Sequence, residues 1–335
     1  MPTYIDAAGC TNTCRHCSRE GRPPFGALYS TDQLRDLARV WGPLIIDSEP
    51  SAHPDFPEVL DPEIGVCEGV LATNGFGFAR AFDPASVFAR LREFGYSALS
   101  LTLHGAERNH DWFVGRRGAY QDILAATSRA VEAGFGLHWN IYLDRRNLED
   151  VPLLVDLKAR MFTGSLWIGV PSHIVNQRLW RYENLRPSAR DVEQRLPNLG
   201  DLDCTYRGEL LTEASCLEMW KNEPSAVGAP ETWPPTEPLE KQWAFITRDR
   251  RVHLGVECAP RIALGTLDEG RPVIEDRLRK LPAPLDDIDP WTAETHLGAS
   301  DLLHPSGLSV RCKAVSAAYY WGKRAVRPTG PSDGD

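Results

Sequence analysis

The chain has 335 residues, 42% hydrophobic and 25% charged, enough for one large α/β domain or for such a domain with a smaller appendage. Its formal charge is −9 with no Lys/Arg block, which argues against nucleic acid as the main partner, because neutralising phosphates takes clustered cations. No apolar run reaches the ~18 residues of a membrane span, and the opening MPTYIDAAGC lacks the basic start and apolar core of a secretory signal, so a cytoplasmic protein without a membrane partner is expected.

The first strand is expected at TYIDAA. Ser30 and Gln33 form a capping box ahead of Leu34, Leu37, Ala38 and Trp41 at helical spacing. PLIIDSEP then reads as a short buried strand with a polar end, and VCEGVLATNG as a second, closed by Asn74-Gly75. Asp83-Pro84 starts a helix with Val87, Phe88, Leu91 and Phe94 inward, stopped by Gly95. YSALSLTLHG is a strand. The helix after it carries Tyr120, Ile123, Leu124, Thr127 and Val131 on one stripe and ends at Gly134. GLHWNIYL, LEDVPLLVDLKARMF and SLWIGV read as strand, helix and strand. Repeated β-α units with buried strands predict a parallel sheet of about six strands, in an open or closed barrel with its site at the carboxyl ends. DSEP, TNG, TLHG and Asn140 all fall at or near such ends.

After about residue 200 the pattern changes. NEPSAVGAPETWPPTEPLE is Pro-rich and reads as a loop or linker, and WAFITRDRRVHLGVECAP as a hairpin around a charged turn. Residues 323–335 are expected to be a disordered tail.

Eight cysteines in a reducing compartment point to metal, cluster or catalytic chemistry rather than disulfides. Cys10, Cys14 and Cys17 lie on one polar loop, GCTNTCRHCS, with C-x3-C-x2-C spacing. Three thiolates suit a cubane in which each holds one iron and the fourth iron stays open. A zinc site is the alternative, with His16 or a distant Cys as fourth ligand.

The first 185 residues or so resemble the radical S-adenosylmethionine superfamily, whose signature is C-x3-C-x-aromatic-C after the first strand. Cys10, Cys14 and Cys17 match it, with His16 in place of the aromatic residue. The family's G-G-E-P stretch appears as Asp47-Ser48-Glu49-Pro50, followed by His53-Pro54-Asp55-Phe56; both glycines are replaced and Glu49 is kept. Its T-N-G is Thr73-Asn74-Gly75. Its next strand end is Thr102-Leu103-His104-Gly105, followed by His110-Asp111. The Asn ahead of an R-x-N-L loop is Asn140, before Arg146-Asn147-Leu148. The resemblance implies a partial (β/α)6 TIM-like barrel over residues 1–200, a [4Fe-4S] cluster on the three cysteines, and S-adenosyl-L-methionine as cofactor. It further implies that Glu49 binds the cofactor's amino group and that Thr102 and Asn140 lie near its carboxylate or ribose. Thr73 and Asn74 join this cofactor set. An Arg that relatives place near Val114 is replaced, with Arg116 or Arg117 as substitute. The chemistry implied is cleavage of the cofactor to a 5′-deoxyadenosyl radical that abstracts hydrogen, with electrons from a donor such as flavodoxin or ferredoxin. His104 and His110 are read as structural.

Residues 201–322 resemble a degenerate SPASM or twitch extension, smaller and α+β. Cys204, Cys216, Cys258 and Cys312 lack the paired C-x2-C of such domains, so they are expected not to share an auxiliary cluster; Cys67 is read as a core residue on a strand. Trp167, Trp180, Tyr182, Trp220, Trp233 and Trp243 are read as core and lid packing. The modest length and short extension favour an enzyme of natural-product biosynthesis acting on a small molecule such as a sugar, an aminocyclitol or a nucleoside, with an oxidoreductase, lyase or epimerase outcome. The alternatives are a maturase of ribosomally made peptides and a non-enzymatic zinc or cluster-binding protein.

Overall fold

The computed structural model describes residues 2–17, 29–170, 182, 184–199, 202, 206–207, 211–222, 244–247, 249–254, 262–280 and 301–304. In chain order these give β1 (Thr3–Ile5), α1 (Thr31–Trp41), β2 (Leu44–Ile46), β3 (Val70–Thr73), α2 (Phe76–Arg80), α3 (Pro84–Glu93), β4 (Ala98–Leu103), α4 (Glu107–Val114), α5 (Ala119–Glu132), β5 (Gly136–Tyr142), α6 (Val151–Met161) and β6 (Ser165–Gly169). There follow α7 (Ala189–Arg195), β7 (Tyr206–Arg207), β8 (Leu211–Thr212), α8 (Glu213–Asn222), β9 (Ala244–Ile246), β10 (Arg251–Leu254), β11 (Ile262–Thr266), α9 (Arg271–Arg279) and β12 (Leu303–His304).

Local sequence explains the helix ends. Ser30 and Gln33 close the capping box on α1, whose Leu34, Ala38 and Trp41 are buried. The Asp83 side chain accepts the Ser86 N–H at the start of α3, where Pro84 needs no donor of its own. On α5 the buried stripe includes Tyr120, Ile123 and Thr127 as expected, but Val131 is exposed and Asp122 is buried. The inward face has slipped toward Ala119, Ala126 and Ala130, whose small side chains let the helix sit close to its neighbours.

Strands β3 to β7 form one sheet in sequential order, every neighbouring pair parallel. Their period-2 alternation sorts the faces. Leu99, Leu101, Leu137, Trp139, Ile141, Leu166 and Ile168 are buried among apolar side chains, while Ser100, Thr102, His138, Asn140, Tyr142, Ser165 and Trp167 occupy the other face half-buried. A parallel sheet covered on both sides by apolar layers would read as a continuous hydrophobic run; this one turns a polar face to a cavity.

A single six-stranded sheet was expected, and the structure differs. Strands β1 and β2 belong to a second sheet, ordered β11-β10-β9-β1-β2. Only an isolated bridge, Leu44 to Gly65, continues beyond β2 among the described residues. The cause is local: residues 47–69 run through short 3-10 turns at Pro50–Ala52 and Glu58–Leu60 instead of a crossover α-helix. The expected hairpin is present as β9 and β10, antiparallel, and it joins β1 in parallel through Thr3–Ala244 to Ile5–Ile246. Cys67 precedes β3 rather than lying on a strand, and it is partly exposed, with the Gly69 N–H directed at its sulfur (3.4 Å). Cys216 is buried on α8. Cys204, Cys258, Cys312, Trp180, Trp233, Trp243 and the 323–335 tail lie outside the described residues. No helix among the described residues is long and apolar enough to cross a membrane.

Candidate functional site

The cysteine loop leaves the end of β1 and is fastened on two sides. Toward β2, Glu49 N–H donates to Gly9 O (3.0 Å) and Gly9 N–H to the Asp6 carboxylate (3.0 Å). Toward α4, Thr13 N–H donates to Val114 O (2.8 Å) and Arg15 N–H to Phe113 O (3.1 Å). Gly115 permits this approach: its φ is +67°, and a Cβ there would stand 2.3 Å from Thr13 Oγ1. Cys17 is buried, and Cys10 and Cys14 are partly exposed. The Cys10 sulfur has the Asn12 N–H at 3.4 Å and the Asn74 amide at 3.5 Å, both suited to stabilising a thiolate.

Among the described residues no three His, Cys, Asp or Glu side chains converge as one metal ion requires. A cubane places each thiolate on its own iron, and Cys10, Cys14 and Cys17 all lie on the loop that follows β1.

Glu49 is the most heavily hydrogen-bonded carboxylate near the loop, with 1% exposure. Its Oε1 accepts the Ser51 hydroxyl (2.5 Å), the Ser51 N–H (3.2 Å) and the Thr73 hydroxyl (2.7 Å); its Oε2 accepts the Asn74 N–H. Burial raises its pKa, and those four bonds pull it back. Among the described residues no cation pairs with it. A buried carboxylate so arranged has the chemistry to accept a hydrogen bond from an ammonium group.

Thr73 and Asn74 therefore face Glu49 and hold it. Asn74 does more: its amide reaches Thr11 (3.0 Å) and Cys10, and its carbonyl oxygen accepts the Phe76 N–H (3.0 Å) at the start of α2. One side chain thus joins the carboxylate, the cysteine loop and a helix. Ser48, where the family has glycine, takes φ +72°, a conformation that suits glycine better.

Arg116 and Arg117 separate clearly. Arg117 is exposed, whereas Arg116 turns inward, donating from Nε to Asn12 Oδ1 (2.7 Å) and pairing through Nη1 with Asp122. Its Nη2 is buried and has no hydrogen-bond partner among the described residues. Arg80 occupies the other oxygen of Asp122 at 2.6 Å. This Arg80–Asp122–Arg116–Asn12 chain was not foreseen; the signal was a carboxylate within the apolar stripe of α5. Thr102 and Asn140 sit opposite each other in the β4–β5 register, on the cavity face, with the Asn140 amide donating to Ser100 (2.8 Å).

His16 packs against His104 (4.8 Å between centroids), Phe113, Tyr142 and Tyr182. His104 stacks on Phe113 at 3.9 Å, and its N–H donates to Nδ1 of His110. Burial lowers both pKa values, that of His110 to about 4, so the two act as neutral packing rings. Asp144, just after β5, is also buried; burial pushes its carboxyl up to about 6 against hydrogen bonds from Arg146 and Asn147.

Residues 4–157 match the family model described as Radical SAM superfamily. The AdoMet-dependent heme synthase of Methanosarcina barkeri (strain Fusaro / DSM 804) is 32% identical over 166 residues, 46% of this chain and 45% of that protein. The PqqA peptide cyclase of Methylobacterium sp. (strain 4-46) is 27% identical over 187 residues, 53% of this chain and 46% of that one. The chain thus spans under half the length of these curated relatives. Among solved structures, anSMEcpe with bound AdoMet superposes with a TM-score of 0.52 at 12% identity, covering 97% of this chain and 95% of that one. That likeness concerns the fold: mixed α/β with a parallel sheet. The similarity to the Radical SAM superfamily thus covers residues 4–157, under half of the chain, and the curated relatives that match are enzymes.

Proposed function

We propose that this protein is a radical S-adenosylmethionine enzyme acting on a small polar molecule, with Cys10, Cys14 and Cys17 holding a [4Fe-4S] cluster. The observation that carries the reading is the buried Glu49 carboxylate, satisfied by four hydrogen bonds, lacking a cation among the described residues, and joined to the Cys10 loop through Asn74. A ligand with an ammonium group fits there, and S-adenosylmethionine carries one. Arg116 supplies a buried donor for its carboxylate, and Thr102 and Asn140 supply hydroxyl and amide for its ribose. When bound, the cluster and cofactor supply one-electron cleavage of a carbon–sulfur bond, and with it a hydrogen-abstracting radical. The protein's share is to hold the sulfonium compound by its charged end, orient its sugar over the cavity and exclude water. An external donor such as flavodoxin or ferredoxin would provide the electron.

The second reading, a peptide maturase, is favoured by the PqqA peptide cyclase among the relatives. The resemblance of the second half to a SPASM or twitch extension is compatible with either. Anaerobic reconstitution tests the core of the proposal. Wild-type protein should take up about four irons per chain and turn brown, and Cys10→Ala, Cys14→Ala and Cys17→Ala should each lose the iron. Zinc uptake with no iron would refute it.

A further inference from the structure

The cavity on the polar face of the β3–β7 sheet has a volume of about 360 Å³. It is built in rows set by strand register. Ser100, His138 and Ser165 lie opposite one another in the lower row, and Asn140 and Trp167 in the row above. The His138 Nδ1 and the Ser165 hydroxyl are hydrogen-bonded, and Asn140 donates to Ser100 across the two rows. Tyr142 meets Trp167 edge-on, with centroids 5.2 Å apart and planes at 85°. Gly169 fixes that indole: a Cβ there would lie 2.3 Å from the ring, so only glycine lets Trp167 lie flat against the strand.

None of the described residues lining this cavity is Asp, Glu, Lys or Arg. A carboxylate, phosphate or ammonium placed here would meet no opposite charge among these residues. The wall instead offers the hydroxyls of Ser100, Ser165 and Tyr142, the Asn140 amide and the His138 imidazole, each able to donate or accept, beside an aromatic face. Those groups suit hydroxyls arranged around a ring whose C–H face packs on an indole. The volume lies at the small end of ligand pockets, roughly 300–1,000 Å³, and too low for a macrocycle of heme size.

We propose that this lower part of the cavity is a substrate subsite for a neutral, hydroxyl-bearing ring of about monosaccharide size, anchored by the His138–Ser165 pair against Trp167. The assignment rests on the cofactor reading above, with Asn140 at the border between the two ligands. The hydrogen bond to Ser165 holds the His138 ring by Nδ1, which leaves Nε2 to address the ligand.

The test is calorimetric titration of the reconstituted 335-residue chain, cluster oxidised, with methyl α-D-glucopyranoside and myo-inositol as neutral probes and glucuronate as the anionic one. S-adenosylmethionine affinity and iron content are measured on the same samples. The neutral probes should bind, glucuronate at least tenfold more weakly, and His138→Phe should lower neutral-probe affinity tenfold or more. S-adenosylmethionine affinity should stay within twofold. Ser165→Ala, which leaves the imidazole in place, should give a loss in the same direction if His138→Phe does not fold. No binding of either neutral probe, equal binding of glucuronate, or a matching loss of S-adenosylmethionine affinity in the variants would overturn the subsite. Wild-type protein without iron would instead refute the cofactor reading beneath it.

Discussion

Gly77 offers a way to disturb Glu49 without touching it. The residue lies in the first turn of α2, and a Cβ there would stand 2.2 Å from the Ser51 carbonyl oxygen and 2.7 Å from Ser51 Cβ. Ordinary contact begins near 3.5 Å, so Gly77→Ala must move the Ser51 turn or α2 by roughly 1 Å. A carbonyl oxygen cannot swing aside as a side-chain tip can. Ser51 also gives Glu49 both its N–H and its hydroxyl, and its oxygen accepts the Gly77 N–H at 3.0 Å. Overpacking of this kind costs about 1–3 kcal/mol, and a lost hydrogen bond to a charged group about 1.5–3 kcal/mol. The two overlap, so we expect about 3 kcal/mol from the denaturant midpoint and at least a tenfold loss in S-adenosylmethionine affinity. Ser51→Ala, which removes a hydroxyl but creates no clash, should cost less in stability. An unchanged midpoint and dissociation constant in Gly77→Ala would refute the claim that α2 braces the carboxylate.

Other outcomes follow from the same geometry. Glu49→Gln keeps the shape but cannot hold an ammonium group as well, so S-adenosylmethionine binding should weaken by about 1.5–3 kcal/mol with the iron retained; unchanged affinity would remove Glu49 from the site. Burial lifts Asp144 from 3.8 to about 6, so the folded form binds the proton more tightly than the unfolded one and stability falls as pH rises through that window. Asp144→Asn should therefore match wild type near the bottom of the window and exceed it above about pH 6, by at most about 3 kcal/mol in urea titrations. Parallel stability curves for the two proteins would refute this.

Much of the first half was legible in the sequence because its signals are local. Ser30, Asp83 and the 3.6-residue spacings of α1 and α3 act within one or two turns, and each strand from β3 to β6 carries its own period-2 pattern. The cysteine loop and the Glu49 segment stand out as short motifs. What escaped is what depends on contacts between distant segments. The break between β2 and β3 comes from turns that look like any polar connection. Asp122 reads as an exposed helix carboxylate until Arg80 and Arg116 are brought to it. Thr73 and Asn74 read as part of the cofactor set, and only the folded chain shows that both also bond Glu49 and that Asn74 reaches the cysteine loop. His138 and Ser165 could have been found: the alternation that puts Asn140 on the cavity face puts His138 there too, and strand register brings Ser165 opposite.

The place of β1 has a consequence for how the protein is made. This strand lies between β2 and β9, with residue 3 opposite residue 44 on one side and residue 244 on the other. Strands β3 to β6 meet neighbours close in sequence and can pair early during synthesis, whereas contacts between distant segments form slowly. Until residues 244–246 emerge, one edge of β1 keeps its N–H and C=O groups unpaired and open to other chains. The thiol loop begins just past the end of that strand, so it takes its final position only when the last third of the polypeptide has arrived.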